Sequence, residues 1–216
     1  MKRVLTLATG LVLLLLCVGT VSANLVSNGG FEDPVVKFPF STIYAGNGLT
    51  GWTITTQSID LMHSWTPHSG AQCIDLAGNG RSKISQTINT RVGTDYEISF
   101  WLAGNPNSLY QGPKGLNVYW AGEKVKSVTF DTTGKSGDNM GWTFVTIPGL
   151  KAKGTTTEIA FEQGETSKDY YGVALDDITV EDPVIPAPEF PGVALPVGLL
   201  IGFIGIIMVI RKSQEK

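Results

Sequence analysis

The sequence predicts an all-β fold, a sandwich or barrel of short strands. Ten short apolar-rich runs follow one another, Gly, Asn, Asp and Pro clusters separate them, and between the two chain ends no stretch carries the i, i+3, i+4, i+7 pattern of a helix. Many short strands at this spacing are the signature of such folds. The clearest run is Tyr96-Glu97-Ile98-Ser99-Phe100-Trp101-Leu102, where Tyr96, Ile98, Phe100 and Leu102 share one face and Glu97, Ser99 and Trp101 the other.

In chain order the expected strands are Trp52–Thr56, Ile59–Met62, Gln72–Leu76, Lys83–Ile88, Tyr96–Leu102, Leu116–Trp120, Val125–Phe130, Trp142–Ile147, Glu158–Glu162 and Val173–Val180. The breakers between them include Ala77-Gly78-Asn79-Gly80, Gly104-Asn105-Pro106-Asn107 and Thr133-Gly134-Lys135-Ser136-Gly137-Asp138. The last strand carries an irregularity. Leu175 and Ile178 are three apart, so plain alternation cannot place both inside, and a bulge at Asp176-Asp177 reconciles them.

The two ends read as addresses rather than fold. Residues 1–23 have a basic start (Lys2, Arg3), an apolar run over Leu11–Val18 and a small-residue triplet, Val21-Ser22-Ala23, the pattern of a cleaved secretory signal; an uncleaved first helix is the alternative. Cys17 is not a lipidation site, because Leu16 stands where a small residue is needed. Residues 183–191 form a proline-rich spacer. Residues 192–210 carry no charge and, at about 1.5 Å per residue, span about 28 Å, near the hydrocarbon thickness of a bilayer. Residues 211–216 begin with Arg211-Lys212, which fits a cytoplasmic tail. The expected domain is therefore residues 24–182, held at the extracellular face of the membrane. Its eleven basic and seventeen acidic residues give no basic face and argue against a nucleic-acid partner. It keeps one cysteine, Cys73, so it contains no internal disulfide, and it has no Asn-x-Ser/Thr acceptor.

Pro188, Glu189, Phe190 and Pro191, set before the apolar run and basic tail, resemble the PEF-CTERM sorting signal of archaeal surface proteins. That resemblance implies processing by an archaeosortase-type enzyme and transfer to another anchor. The domain has a resemblance of its own, carried by Asn24-Leu25-Val26-Ser27-Asn28-Gly29-Gly30-Phe31-Glu32, Gly51-Trp52, Ile59-Asp60-Leu61, Ile74-Asp75-Leu76, Ile84-Ser85-Gln86-Thr87, Gly93-Thr94-Asp95-Tyr96 and Leu175-Asp176-Asp177-Ile178-Thr179-Val180. This order resembles the choice-of-anchor C family and the plant cell-wall family called domain of unknown function 642. The resemblance implies a galactose-binding-like jelly roll of two antiparallel sheets, a fold that often binds carbohydrate.

It also implies a structural calcium held by Glu32, Asp176 and Asp177 with carbonyls of the Asn28-Gly29-Gly30 turn, Gly30 included. Calcium takes hard oxygen ligands of these kinds. The alternative is that the three carboxylates bond turn amides. For sugar contact the candidates are Trp65 and Trp101 as stacking rings, with Asp60 and His68 as polar partners. Trp52, Trp120 and Trp142 are expected in the core, and Tyr110, Tyr170 and Tyr171 at a loop rim. Cys73 reads as packed rather than reactive. His63 and His68 lack a zinc-ligand spacing, and no Gly-x-Ser-x-Gly elbow is present. The expected function is non-enzymatic binding of a cell-envelope or matrix polysaccharide or glycoprotein, with many anchored copies supplying avidity. The competing expectation is a structural or adhesive envelope protein with protein partners, and a glycoside hydrolase or lyase ranks last.

Overall fold

The structure, a computed structural model, describes residues 24–46 and 48–181. Eleven strands form in order: β1 (Phe40–Tyr44), β2 (Thr53–Thr56), β3 (Ser58–Met62), β4 (Cys73–Asp75), β5 (Lys83–Asn89), β6 (Asp95–Gly104), β7 (Pro113–Trp120), β8 (Glu123–Asp131), β9 (Thr143–Lys151), β10 (Thr156–Gln163) and β11 (Val173–Glu181). They build two antiparallel sheets, ordered β1-β3-β4-β11-β6-β9 and β2-β5-β10-β7-β8, which face each other as a jelly-roll sandwich. The helical content among the described residues is one three-residue 3-10 turn, Ser108–Tyr110. All ten expected strands form, with ends moved by at most four residues.

Alternation sorts the side chains as expected. Tyr96, Ile98, Phe100 and Leu102 of β6 are buried, as are Leu116, Val118 and Trp120 of β7 and Ile159 and Phe161 of β10. Phe100 and Phe161 meet edge to face across the sandwich, with ring centroids 5.3 Å apart. Trp52 packs on Phe161 at 6.0 Å and on Phe31 at 5.7 Å, which ties the N-terminal segment to the five-stranded sheet. Truncating a ring as buried as Phe100 typically costs about 3–5 kcal/mol, because the cavity left behind does not collapse. Cys73 is fully buried, as expected.

The strand absent from the sequence reading is β1. Its residues Phe-Ser-Thr-Ile-Tyr are exposed or half-buried throughout, since it lies at the sheet edge and pairs only with β3. Ile43 alone of its side chains packs partly against the core and none is fully buried, so no alternation marks it.

The expected bulge is present. The β11–β6 register shifts between Asp176 and Thr179, Asp177 sits at φ +48°, and Leu175 and Ile178 are both fully buried on the core side. The bulge also receives the N-terminal segment. Leu25 N donates to Val180 O at 2.9 Å and Ile178 N donates to Gly29 O at 2.9 Å. A Cβ on Gly29 would lie well inside contact distance of the Ile178 carbonyl oxygen, so the close approach requires glycine.

The expected signal segment (1–23), linker (183–191) with its Pro188–Pro191 motif, apolar run (192–210) and tail (211–216) lie outside the described residues. Among the described residues no helix is long and apolar enough to cross a membrane.

Gly29→Ala is expected to destabilise the domain by about 2–4 kcal/mol, because two backbones must separate. Urea unfolding measures this, and a loss under about 0.5 kcal/mol would mean that the turn relaxes freely.

Candidate functional site

At one end of the sandwich the exits of β4, β6 and β10 meet the entries of β5, β7 and β11. A cavity of about 550 Å³ opens there, lined by Arg81, Tyr110, the 165–171 loop and its two tyrosines, Tyr170 and Tyr171. Tyr110 and Tyr171 lie with ring centroids 4.1 Å apart, and the Lys168 ammonium stands 5.0 Å above the Tyr110 ring. Tyr170, at φ +69°, is turned out to solvent. These are the three rim tyrosines expected from sequence. Arg81, Glu165, Lys168 and Asp169 were not anticipated, because nothing along the chain links residue 81 to residues 165–169.

Buried polar groups hold this loop. Gly164 N donates to Gly115 O at 2.7 Å, and Gly115 N donates to the Oγ of Ser167, which is buried. Asp75, also buried, accepts from Ala77 N, Gly172 N and Asn105 Nδ2 at 3.0, 3.1 and 2.7 Å, joining three connections in one carboxyl. Behind the tyrosine pair, Lys114 is buried and its Nζ donates to Tyr110 O at 2.7 Å; desolvation lowers its pKa while Asp75 opposes the shift. A site braced this way is formed before any ligand arrives.

The four sugar-contact candidates do not assemble. His68 and Trp101 meet, stacked with centroids 3.7 Å apart and planes 14° from parallel, on the outer face of the six-stranded sheet. His68 thus covers one face of the indole that was expected to receive a sugar ring. Phe144 of β9 flanks Trp101 at 5.3 Å and is 54% exposed. Trp65 packs partly buried against the core, its loop tied by Thr66 N to Gly137 O and by Trp142 Nε1 to Thr66 O. Asp60 lies on β3, three strand spacings from β6 or about 14 Å, where it accepts from Thr42 Oγ1 at 2.6 Å. Trp52 and Trp120 are core residues, as expected, and Trp142 is half-buried against it.

The acidic junction also takes a definite form. Gly30 sits among Glu32, Asp176 and Asp177. Glu32 Oε1 accepts from Ala71 N and Gln72 N, at 2.8 and 3.1 Å. Asp176 Oδ2 accepts from His68 N and Ser69 N, and its Oδ1 from Asp177 N. Asp177 bonds His68 Nδ1 at 2.6 Å and Ser69 Oγ at 2.7 Å. In kind, these oxygens suit a hard cation. In arrangement they serve amides and hydroxyls, and among the described residues no group of three His, Cys, Asp or Glu side chains is placed to hold a metal ion.

The molecule is thus a two-sheet jelly roll with a pre-formed aromatic cavity between its end loops. An arabinose-bound α-L-arabinofuranosidase shares the fold, with a TM-score of 0.50 and 13% identity over 76% of this chain and 27% of that one. A family 61 carbohydrate-binding module in complex with β-1,4-galactotriose is similar at a TM-score of 0.45 and 20% identity, over 74% of this chain and 98% of that one. A family 35 carbohydrate-binding module from Paenibacillus barcinonensis gives 0.43 and 25%, over 66% and 99%. The chain belongs to the family described as protein of unknown function DUF642, whose pattern matches residues 24–181. Two Arabidopsis thaliana members, the DUF642 proteins L-galactono-1,4-lactone-responsive gene 2 and gene 1, are 27% and 29% identical over 127 and 131 residues, or 53% and 55% of this chain. Those stretches are 34% and 35% of the relatives, so the chain spans about a third of their length.

Burial pushes the Asp75 carboxyl up to about 8, with Asp60 adding to the rise and Asn105 opposing it. Burial pushes Asp176 up to about 7, with Asp177 adding to it. In the unfolded chain both titrate near the ordinary value of about 3.9. Between about pH 4 and pH 8 the folded domain therefore holds protons that the unfolded chain has lost, and stability falls as pH rises through that window. Tm is expected to be higher at pH 5 than at pH 8, and Asp75→Asn, which mimics the neutral acid, is expected to flatten the decline. A Tm that climbs from pH 5 to pH 8 would mean both carboxyls are ionised in the fold.

Proposed function

We propose that this domain is a non-enzymatic carbohydrate-binding module working at the cell surface. The observation that carries the reading is the end cavity, in which the tyrosine rings share one hollow with Arg81, Glu165, Lys168 and Asp169. A sugar ring has an apolar face and an edge of hydroxyls, so it needs an aromatic platform beside charged and amide groups that exchange hydrogen bonds with it. Its volume of about 550 Å³ falls within the ordinary range of small-ligand sites, about 300–1,000 Å³.

Glycosidase chemistry needs an acid of raised pKa beside the scissile bond. The carboxyls that burial raises, Asp60, Asp75 and Asp176, are not among the residues that line the cavity. The surface location rests on residues 1–23, the Pro188–Pro191 motif with its implied archaeosortase-type processing, and the apolar run 192–210. One observation favours the adhesive alternative: Val35, Phe38 and Phe40 are 81%, 73% and 45% exposed beside the uncharged edge strand β1.

Calcium at the Glu32–Asp176–Asp177 junction belongs to the same proposal. What supports it is a fully buried Asp176 with Asp177 adjacent, a crowding of negative charge that a divalent cation relieves. The cation would displace the amide and hydroxyl donors that now hold those oxygens.

Two measurements test these readings. Affinity electrophoresis of the full chain in polysaccharide gels, including β-1,4-galactan and arabinan, is expected to show retardation that Tyr171→Ala weakens about tenfold, or about 1.4 kcal/mol, while Phe144→Ala leaves it unchanged. Equal retardation of Tyr171→Ala would remove the cavity from the account. For calcium, Tm is expected to rise by several degrees in millimolar Ca²⁺ and fall back with EDTA; a Tm indifferent to both would leave the junction to its amides.

A further inference from the structure

We infer that the end cavity is one half of a longer groove that takes an internal stretch of a linear, uncharged polysaccharide; this rests on the carbohydrate reading above and extends it. A second hollow, of about 270 Å³, opens on the outer face of the five-stranded sheet, with Thr56, Ser82, Asn117, Tyr119 and Glu162 in its walls. Arg81 and Glu165 line both hollows. Arg81 Nη2 donates to Glu165 O at 3.0 Å, and this bond forms the sill between them. The two hollows are therefore neighbours across one hydrogen bond.

The second hollow has its own aromatic platform. Leu116, Val118 and Trp120 of β7 point into the core, which turns Asn117 and Tyr119 outward. The Tyr119 ring is fixed from two sides, by the Lys83 ammonium 4.4 Å from its centroid and by a hydrogen bond from its hydroxyl to Glu162 Oε2. Asn117, which lines the hollow, accepts at Oδ1 from Ser127 Oγ at 2.7 Å, and its Nδ2 is bonded to no described residue, so a donor is left for a ligand.

Size and charge name the ligand. Alone, about 270 Å³ is below the usual range of small-ligand sites, about 300–1,000 Å³, so the second hollow makes sense as a continuation of the first. Two tyrosine platforms on either side of a polar sill suit two separate rings of one chain; a monosaccharide or chain end would be held by the cavity alone. The charged residues lining the two hollows are Arg81, Lys124 and Lys168 against Glu162, Glu165 and Asp169, three of each sign. Such a balanced wall offers no net attraction to a polyanion and many partners to neutral hydroxyls.

The test uses the full chain in gels containing β-1,4-galactan, arabinan, dextran or polygalacturonate. Oligomers of one to six units of any polymer that retards it are then titrated by calorimetry. Retardation by a neutral polymer and not by polygalacturonate is expected, with affinity rising at least tenfold from the dimer to the hexamer. Tyr119→Ala is expected to abolish that gain while leaving dimer binding intact, and Tyr119→Phe, which keeps the ring, to retain it; near-UV circular dichroism checks folding. If Tyr119→Ala misfolds, Asn117→Ala replaces it with the same expectation. A length dependence unchanged in the variant, alongside loss of all binding in Tyr171→Ala, would confine the site to the cavity and overturn the groove while sparing the carbohydrate reading. Retardation by polygalacturonate alone would overturn the uncharged class. No retardation of folded protein in any gel would overturn both readings.

Discussion

A strand with neighbours on both sides must keep its apolar side chains on the core, and β11 meets this demand across two carboxylates. Leu175 and Ile178 both reach the interior only because one extra residue is accommodated at Asp176–Asp177. The rest of the six-stranded sheet is organised around that insertion. The bulge turns Asp176 toward the His68 and Ser69 amides, receives the carbonyl of Gly29, and sets Asp177 against His68, whose ring then lies on Trp101. One irregularity in one strand therefore positions the N-terminal turn, the β3–β4 connection and the aromatic stack on the outer face. It also explains why two candidate residues for sugar contact, His68 and Trp101, are occupied with each other.

The end of the molecule that carries the cavity is built by a related device. A loop that lines a cavity with tyrosines cannot bury them, so its rigidity has to come from polar groups beneath it. Asp75, Ser167, Gln163 and Lys114 are all buried there, and most of their polar atoms are matched to backbone groups of the connections they join. The exception is Gln163 Oε1, buried without a partner among the described residues and close to the point where a Cβ on Gly172 would also meet Asp75 Oδ1. A carboxyl pushed up to about 8 carries a proton at neutral pH, which eases the crowding of acceptors at this spot. Burial that is costly in isolation here fixes the shape of the cavity.

Much of the fold is legible along the chain for one reason: the period of two survives wherever one face of a strand is sunk into the core. Tyr96–Leu102 is legible because every second residue packs against the opposite sheet. The Leu175–Ile178 spacing betrays a bulge because it breaks that same rule. β1 is illegible because an edge strand with no fully buried side chain shows no alternation. The rim tyrosines could be singled out because large aromatics in polar turns have no core to enter. The outward position of Trp101 was visible, whereas the imidazole that covers one of its faces comes from thirty-three residues earlier.

By itself the sequence determined the class of fold, the family-like order of motifs, the core aromatics Trp52 and Trp120 and the place of the bulge. All of these follow from local alternation and from the side-chain chemistry of single segments. Only the tertiary structure decided which residues share a site. Arg81 meets Glu165, Tyr110 meets Tyr171 and Asp75 meets Gly172 because antiparallel pairing brings the ends of distant strands to one edge of the sandwich. Such pairings depend on register and sheet order, which no single stretch of chain contains.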